Sequence, residues 1–498
     1  MKNNLLYRWI PIALLLTISL TSTFAQSETV SPQERSKLRA AAERNPNDLE
    51  AQKAYLNTFV SADDAKTEYE VWMKKYPKSA AIPQALGEKY GTYSPKSGQY
   101  LLKAAELQPS NVALWQKLAL DASLRGNYAK EQEYTLKAVE ANPENLNLQW
   151  NYFRLFKEHD EGFWKQKTWE MAKKHPNDPA SITALHIMGY DSGNLEERIE
   201  IWEGLRNMVP KEKIVSAQVA MSRLADAYIQ AGQYAKAVEL SQVMIANKAE
   251  ERASFPQKVQ LAKTLLEVEN KIKEGKYAEA KSLAMPLNAR PKSGGSRIAL
   301  VKASSLDAAG DTQAAYDSLI VFQATTPYKE VKKKLETYGS KLGRSIDQVK
   351  KDVRVAIARN SRPATPFELD EYTSDQKMKL ADLKGKVVML SFWFPGCGPC
   401  RGEMPHVEAA IKNIDRSKFA YLGVNSYRDQ DDFVLPFMKG TKYSFTPLGA
   451  DENVTKDYGV RGYPSNFIID QEGRIAYSGF LIHADSEEML ELMIQSLL

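Results

Sequence analysis

The sequence predicts two units of different class, a long array of α-helices followed by an α/β domain in which strands alternate with helices. Three observations carry that division. Prolines recur at a near-constant spacing through the first part, two prolines within residues 361–366 break the helical pattern, and beyond them short apolar runs of strand length alternate with amphipathic stretches. At 498 residues the chain has room for about three units, and 43% hydrophobic residues suffice for real cores. The formal net charge of +5 is diffuse over this length, so it supplies no argument for nucleic acid, and no such partner is expected.

Residues 1–25 have the layout of a secretory signal peptide. Lys2 and Arg8 give a positive start, the apolar run 10–20 is too short to span a bilayer comfortably, and Thr23-Phe24-Ala25 provides a small-x-small ending. Cleavage near Ala25–Gln26 is expected, giving a soluble mature protein in the periplasm or cell envelope; retention as an anchor is the alternative. No cysteine lies near this end for lipid attachment.

The helical array is assigned to residues 26–345. Pro46, Pro77, Pro109, Pro143, Pro176 and Pro210 follow one another at intervals of 31 to 34 residues, the length of a helix-turn-helix repeat of the tetratricopeptide (TPR) type. In Leu224-Ala225-Asp226-Ala227-Tyr228-Ile229-Gln230-Ala231-Gly232-Gln233-Tyr234-Ala235-Lys236-Ala237, large, small and tyrosine positions precede a glycine turn, and this stretch resembles the tetratricopeptide consensus. Gly275, Tyr277 and Ala280 repeat its second half, as do Gly310, Thr312 and Ala315; Gly126 and Tyr128 start a copy in which Glu131 replaces the small residue. Small residues let helix backbones approach where they cross. The spacing fails between Gly232 and Gly275, so 247–260 is read as an irregular insertion or a longer helix. Generic helical hairpins are the plainer reading; either way a curved solenoid is expected, with a peptide or protein partner on its concave face. Trp115, Trp150, Trp164, Trp169 and Trp202 are assigned to packing between helices, and no binding residue is assigned in this region.

Residues 346–362 are expected to be a helical linker. Ser345 and Gln348 have the spacing of a capping box, and Ile346, Val349, Val353 and Ile357 form one apolar stripe, so a helix should run to about Arg359. Pro363 and Pro366 then disfavour helix in the residues before them. In 363–498 the apolar run 386–394 reads as a strand buried on both faces and leads straight into the cysteines. Helices are expected over 399–414, 431–438 and 486–497, and strands over 419–425, 465–470 and 474–480, giving a central mixed sheet flanked by helices.

Cys397 and Cys400 are the only cysteines, in Cys397-Gly398-Pro399-Cys400. A disulfide between residues three apart closes almost no loop in the unfolded chain, so stabilisation does not explain it. A zinc site would need four ligands, and His159, His175, His186, His406 and His483 include no pair at ligand spacing. Arg401 follows where a haem-attachment motif has histidine. No metal or cofactor is expected, and redox chemistry remains.

Here the residues resemble a known family. Leu380-Ala381-Asp382-Leu383-Lys384-Gly385-Lys386-Val387-Val388, Phe392-Trp393 before the cysteines, Arg401-x-Glu403-x-Pro405 after them, and then Tyr458-Gly459-Val460-Arg461-Gly462-Tyr463-Pro464 and Phe467-Ile468-Ile469-Asp470-x-x-Gly473-Arg474-Ile475 are similar to the TlpA/ResA group of exported thioredoxin-like proteins, which share their fold with AhpC/TSA-type redoxins. The resemblance covers about 135 C-terminal residues and does not reach the helical array. It implies a thioredoxin-like fold carrying a helix-strand insertion over 425–457. It also implies thiol-disulfide oxidoreductase activity on disulfide-containing clients, with the haem-attachment cysteines of an apocytochrome c among them, and a membrane-bound thiol reductant as electron donor.

The expected catalytic residues are Cys397, Cys400, Glu403 and Pro464, with Tyr463 and Pro464 binding substrate. At a helix N-terminus Cys397 meets unpaired N–H groups and the positive end of the dipole, which favour the thiolate; Cys400 then resolves the mixed disulfide. Glu403 lies one turn beyond Cys400 on the same face. The resemblance makes it a proton carrier for the pair, against an ordinary exposed helix glutamate. It also makes Pro464 a cis-proline beside the disulfide, with Tyr463 offering backbone groups to an extended substrate. Two departures touch the site: Gly396 stands where relatives often carry tryptophan, and Ser465 where threonine is usual. The enzymatic alternative is a thiol peroxidase, disfavoured because Phe394 and Leu390 occupy the places of its threonine and proline. The other alternative is a TPR scaffold with a regulatory redoxin module.

Overall fold

A computed structural model describes residues 30–250, 254–289, 294–450 and 452–498. The expected signal segment lies outside the described residues. Among those described, no helix is long and apolar enough to cross a membrane.

The first unit is a series of helices from Pro32–Arg44 to Lys329–Lys341, each packed on its neighbours. All six periodic prolines stand two residues past a helix end: Pro46 after Pro32–Arg44, Pro77 after Ala62–Lys75, Pro109 after Ser97–Leu107, Pro143 after Tyr128–Ala141, Pro176 after Glu161–Lys174 and Pro210 after Leu195–Met208. The residue before a proline is pushed out of helical geometry, and that ends each helix. Other helices end on glycine. Gly126, Gly232, Gly275 and Gly310 adopt φ of 65°, 73°, 72° and 84°. The next residue donates its N–H back across the last turn, for example Gln233 to the Tyr228 carbonyl at 2.8 Å and Asp311 to that of Leu306 at 3.0 Å. This left-handed closure turns the chain into the second helix of a hairpin. The interval 247–260 contains the start of a longer helix, Phe255–Lys273. Trp115, Trp150, Trp164 and Trp202 are buried. Trp202 covers Gly189 so closely that a Cβ there would lie 2.3 Å from the indole nitrogen.

The helix α1 (Ile346–Asn360) buries Val349, Val353 and Ile357, whereas Ile346 at its first turn is exposed. Its expected capping box is only half formed. Ser345 Oγ accepts from the Gln348 N–H at 3.2 Å, but the Gln348 side chain turns forward to Asp352 Oδ1 at 2.8 Å.

The α/β unit follows at once. Its strands are β1 (Arg362–Pro363), β2 (Glu368–Glu371), β3 (Lys377–Lys379), β4 (Val387–Trp393), β5 (Phe419–Asn425), β6 (Thr446–Gly449), β7 (Ser465–Ile469) and β8 (Arg474–Phe480). Its helices are α2 (Gly398–Ile411), α3 (Asp431–Thr441), α4 (Glu452–Asp457) and α5 (Glu487–Leu497). The sheet order is β1-β8-β7-β4-β5-β6-β2-β3. β5 runs parallel to β4 and β6, and β7 runs antiparallel to β4 with Ser465 opposite Phe392. All seven residues of β4 are buried, as a central strand covered on both faces requires. Val388, Leu390 and Phe392 enter one core with Phe467 and Ile469, while Val387, Met389 and Trp393 enter another with Met404 of α2 and Ile494 of α5. That second core continues through α1 into the last helical hairpin at Tyr316, Leu335 and Tyr338. The architecture is thus a helical unit followed by a thioredoxin-like mixed sheet with flanking helices. The proline break of the sequence does not stay a loop: Arg362–Pro363 pairs with β8 at the sheet edge, where a missing N–H is tolerated.

Candidate active site

β4 ends at Trp393 and the chain turns through Phe394-Pro395-Gly396 into α2, with Cys397 as its N-cap. Cys397 and Cys400 form a disulfide. Cys397 Sγ accepts the Cys400 N–H at 3.2 Å, so the sulfur sits where the first turn of the helix presents unpaired donors. Pro399 falls in the first turn, where its missing N–H costs nothing, and the helix continues through Pro405. Both sulfurs are nearly covered, with Cys397 4% and Cys400 2% exposed.

Glu403 is buried, not an exposed helix glutamate. Its Oε2 accepts from Asn466 Nδ2 and its Oε1 from the Ile482 N–H, each at 2.8 Å. Two donors favour the carboxylate, but burial outweighs them, and the pKa is pushed up to about 7. A carboxyl poised there, one turn beyond Cys400, can give or take a proton near neutral pH. Asn466 lies on β7 opposite Ser391, two residues after Pro464. The Tyr463–Pro464 peptide is cis. It enters β7 at the end where β4 leaves for the cysteines, which brings the two cysteines, Glu403, Tyr463 and Pro464 to one corner of the sheet. Tyr463 packs edge-on to Phe394, ring centroids 5.2 Å apart, and Tyr427 lies 4.2 Å from Phe394 by the same measure.

Four residues around the site were not marked by sequence patterning. Asn466 and Ile482 hold Glu403. Gln430 accepts the Gly396 N–H at 2.7 Å through Oε1. His406, one turn beyond Glu403, hydrogen-bonds Glu487 Oε1 through Nδ1 at 2.6 Å, and its Nε2 lies 3.4 Å from Lys157 Nζ of the helical unit. Only the alternation of polar residues inside apolar strands could have flagged Asn466; the others depend on contacts distant in sequence.

The helical unit touches the active-site helix directly. Arg401 donates to Ser123 Oγ, and Glu131, the residue that spoils the repeat pattern, contributes its charge to the surroundings of Arg401. Burial raises the Glu131 pKa and lowers that of Arg401.

Residues 361–478 match the model of the AhpC/TSA family. The thioredoxin-like protein YneN of Bacillus subtilis is 33% identical over 147 residues, which make up 29% of this chain and 84% of that protein. This chain belongs to the thioredoxin-like thiol-disulfide oxidoreductases. The thiol-disulfide oxidoreductase ResA of Halalkalibacterium halodurans is 30% identical over 142 residues, 28% of this chain and 79% of its own length. Among solved structures, a thiol:disulfide interchange protein of the thioredoxin family from Chlorobium tepidum aligns at 22% identity over 27% of this oxidoreductase and 96% of that chain, with a TM-score of 0.25. The helices from Pro32–Arg44 to Lys329–Lys341 all precede residues 361–478, the part of the oxidoreductase that matches the family model.

Proposed function

We propose that the protein is an exported oxidoreductase of the cell envelope that reduces protein disulfides through the Cys397/Cys400 dithiol, its tetratricopeptide-like helices recruiting the client. The reduced form attacks first: the Cys397 thiolate forms a bond to one client sulfur, and the client disulfide breaks to release the other as a thiolate. Cys400, deprotonated in turn, attacks Cys397 Sγ, which breaks the mixed disulfide and frees the second client thiol. Two electrons pass to the client, and the Cys397–Cys400 disulfide remains. A membrane-bound thiol reductant supplies two electrons that return this disulfide to the dithiol. Glu403 takes the Cys400 proton and returns it to the leaving thiolate. Pro464 and the Tyr463 backbone receive the extended client strand.

The observation that carries this reading is the buried Glu403 carboxyl, with its pKa of about 7, one helical turn beyond a cysteine pair at a helix N-terminus. A passive scaffold has no use for such a group. Disulfide-containing envelope proteins are the client class, with apocytochrome c among them; the signal-like residues 1–25 support the location. Insulin-disulfide reduction tests the activity: wild type should reduce insulin and Cys397→Ser should not, whereas inactivity of both would favour the scaffold. A measured potential as oxidising as the glutathione pool would overturn the reductase direction.

A further inference from the structure

Gly396 precedes the attacking sulfur and offers it no side-chain wall. The space is filled from elsewhere. A Cβ built on Gly396 would lie 2.9 Å from Gln430 Oε1 and 3.0 Å from Cε1 of Tyr93. Tyr93 belongs to the helical unit, in the turn between helices Ala81–Tyr90 and Ser97–Leu107, some 300 residues away in sequence. Tyr93 remains 42% exposed although it reaches the neighbourhood of a cysteine that is itself nearly covered.

The turn is tied to the α/β unit through Arg125. Arg125 donates to the Pro95 carbonyl at 3.1 Å, and its guanidinium lies over the Phe433 ring of α3, 5.0 Å from the centroid. One side chain therefore fastens the Tyr93 turn to the helix that follows Gln430. Backbone contact reinforces it: a Cβ on Gly440 of α3 would stand 2.5 Å from the Gly126 carbonyl oxygen. Arg401 adds its bond to Ser123. Tyr93 thus stands at the approach to Cys397, partly exposed, and among the described residues no hydrogen bond or aromatic ring pair engages its side chain.

We propose that Tyr93 is a specificity-determining residue: its exposed ring packs against the residues that flank the client's cysteine, so the site favours disulfides embedded in polypeptide over small disulfides. The attacked sulfur must come down onto a nearly covered Cys397, so the chain on either side of it lies across the rim, and Tyr93 forms the rim at Gly396. A small disulfide has no flanking chain and gains nothing from the ring. Tyr93 takes no part in electron or proton transfer; it sets affinity for the substrate of the reaction proposed above, and the inference rests on that reaction.

The test uses the full chain, pre-reduced, with insulin as the polypeptide disulfide and bis(2-hydroxyethyl) disulfide as the small one. Tyr93→Ala should raise KM for insulin about five-fold, leaving kcat, the redox potential and the small-disulfide rate unchanged. Tyr93→Phe, which keeps the ring, should retain the wild-type KM. An unchanged insulin KM in Tyr93→Ala, or an equal loss on both substrates, overturns the role of Tyr93 while the reductase reading stands. Wild type inactive on insulin overturns both.

Discussion

Asn466 Nδ2 donates to Glu403 Oε2 at 2.8 Å, so the strand that begins after the cis-proline also holds the carboxyl one turn beyond Cys400. The bond is buried, and the acid it serves titrates near 7 because desolvation exceeds what Asn466 and the Ile482 N–H return. Such a pKa has a stability consequence. Well below pH 4.5 the carboxyl is protonated in both folded and unfolded chains and carries no penalty. Between 4.5 and about 7 the unfolded chain releases its proton while the folded one keeps it, so stability falls as pH rises and levels off above 7. Glu403→Gln removes this dependence. Its stability relative to wild type should grow by about 3 kcal/mol between pH 4 and pH 8, read from urea denaturation at each pH.

The cysteines should differ in kind. Cys400→Ser leaves an attacking thiol without a resolving partner, so a mixed disulfide with the client should accumulate and disappear on adding dithiothreitol. Cys397→Ser should trap far less, because Cys397 is the N-cap, where its sulfur accepts a helix N–H, whereas Cys400 stands at the third helical position and donates its own N–H to that sulfur. Non-reducing gels of the two variants after incubation with insulin check this.

The sequence made the fold legible where a residue acts on its own neighbours. The periodic prolines end helices through local sterics, and the alternation along β4 sends Val388 and Leu390 to one core and Val387 and Met389 to the other. The cysteine pair and Glu403 were legible for the same reason, since three residues along a helix fix a common face. What was not legible depends on distant chain. Gln348 has the spacing of a capping box, but Asp352 one turn on competes for its side chain and wins. Glu131 looked like decay of a repeat, whereas it faces the surroundings of Arg401. Arg362–Pro363 was read as a break because strand β8, more than a hundred residues later, had not yet supplied its pairing.

The seam between the two units should be sensitive to single atoms. A methyl at Gly440 would meet the Gly126 carbonyl oxygen at 2.5 Å, and backbone on both sides leaves neither partner free to rotate away. Gly440→Ala should therefore cost about 1–3 kcal/mol or loosen the seam, seen as a lower urea midpoint and faster proteolysis of the 91–96 turn. Gly402→Ala is the control: a Cβ there meets nothing within 4 Å, so it should not lower the urea midpoint, which helix propensity should instead raise slightly, and it should leave proteolysis of the turn unchanged.

Removing Asn466 should move the acid rather than abolish it. Asn466→Ala leaves the Glu403 carboxylate with the Ile482 N–H as its remaining donor, in the same buried setting. Loss of a hydrogen bond to the charged form disfavours ionisation, so the pKa should rise further above 7, by roughly one unit for a charge-assisted bond of about 1.5 kcal/mol. If Glu403 carries the proton of Cys400, the rate at which the mixed disulfide resolves should follow the same acid. Its pH profile would then inflect near 7 in wild type and near 8 in Asn466→Ala, with the inflection lost in Glu403→Gln. Stopped-flow resolution of a preformed mixed disulfide between pH 5.5 and 9.5 measures all three. Coincident profiles in wild type and Glu403→Gln would remove Glu403 from the proton path, whatever its burial.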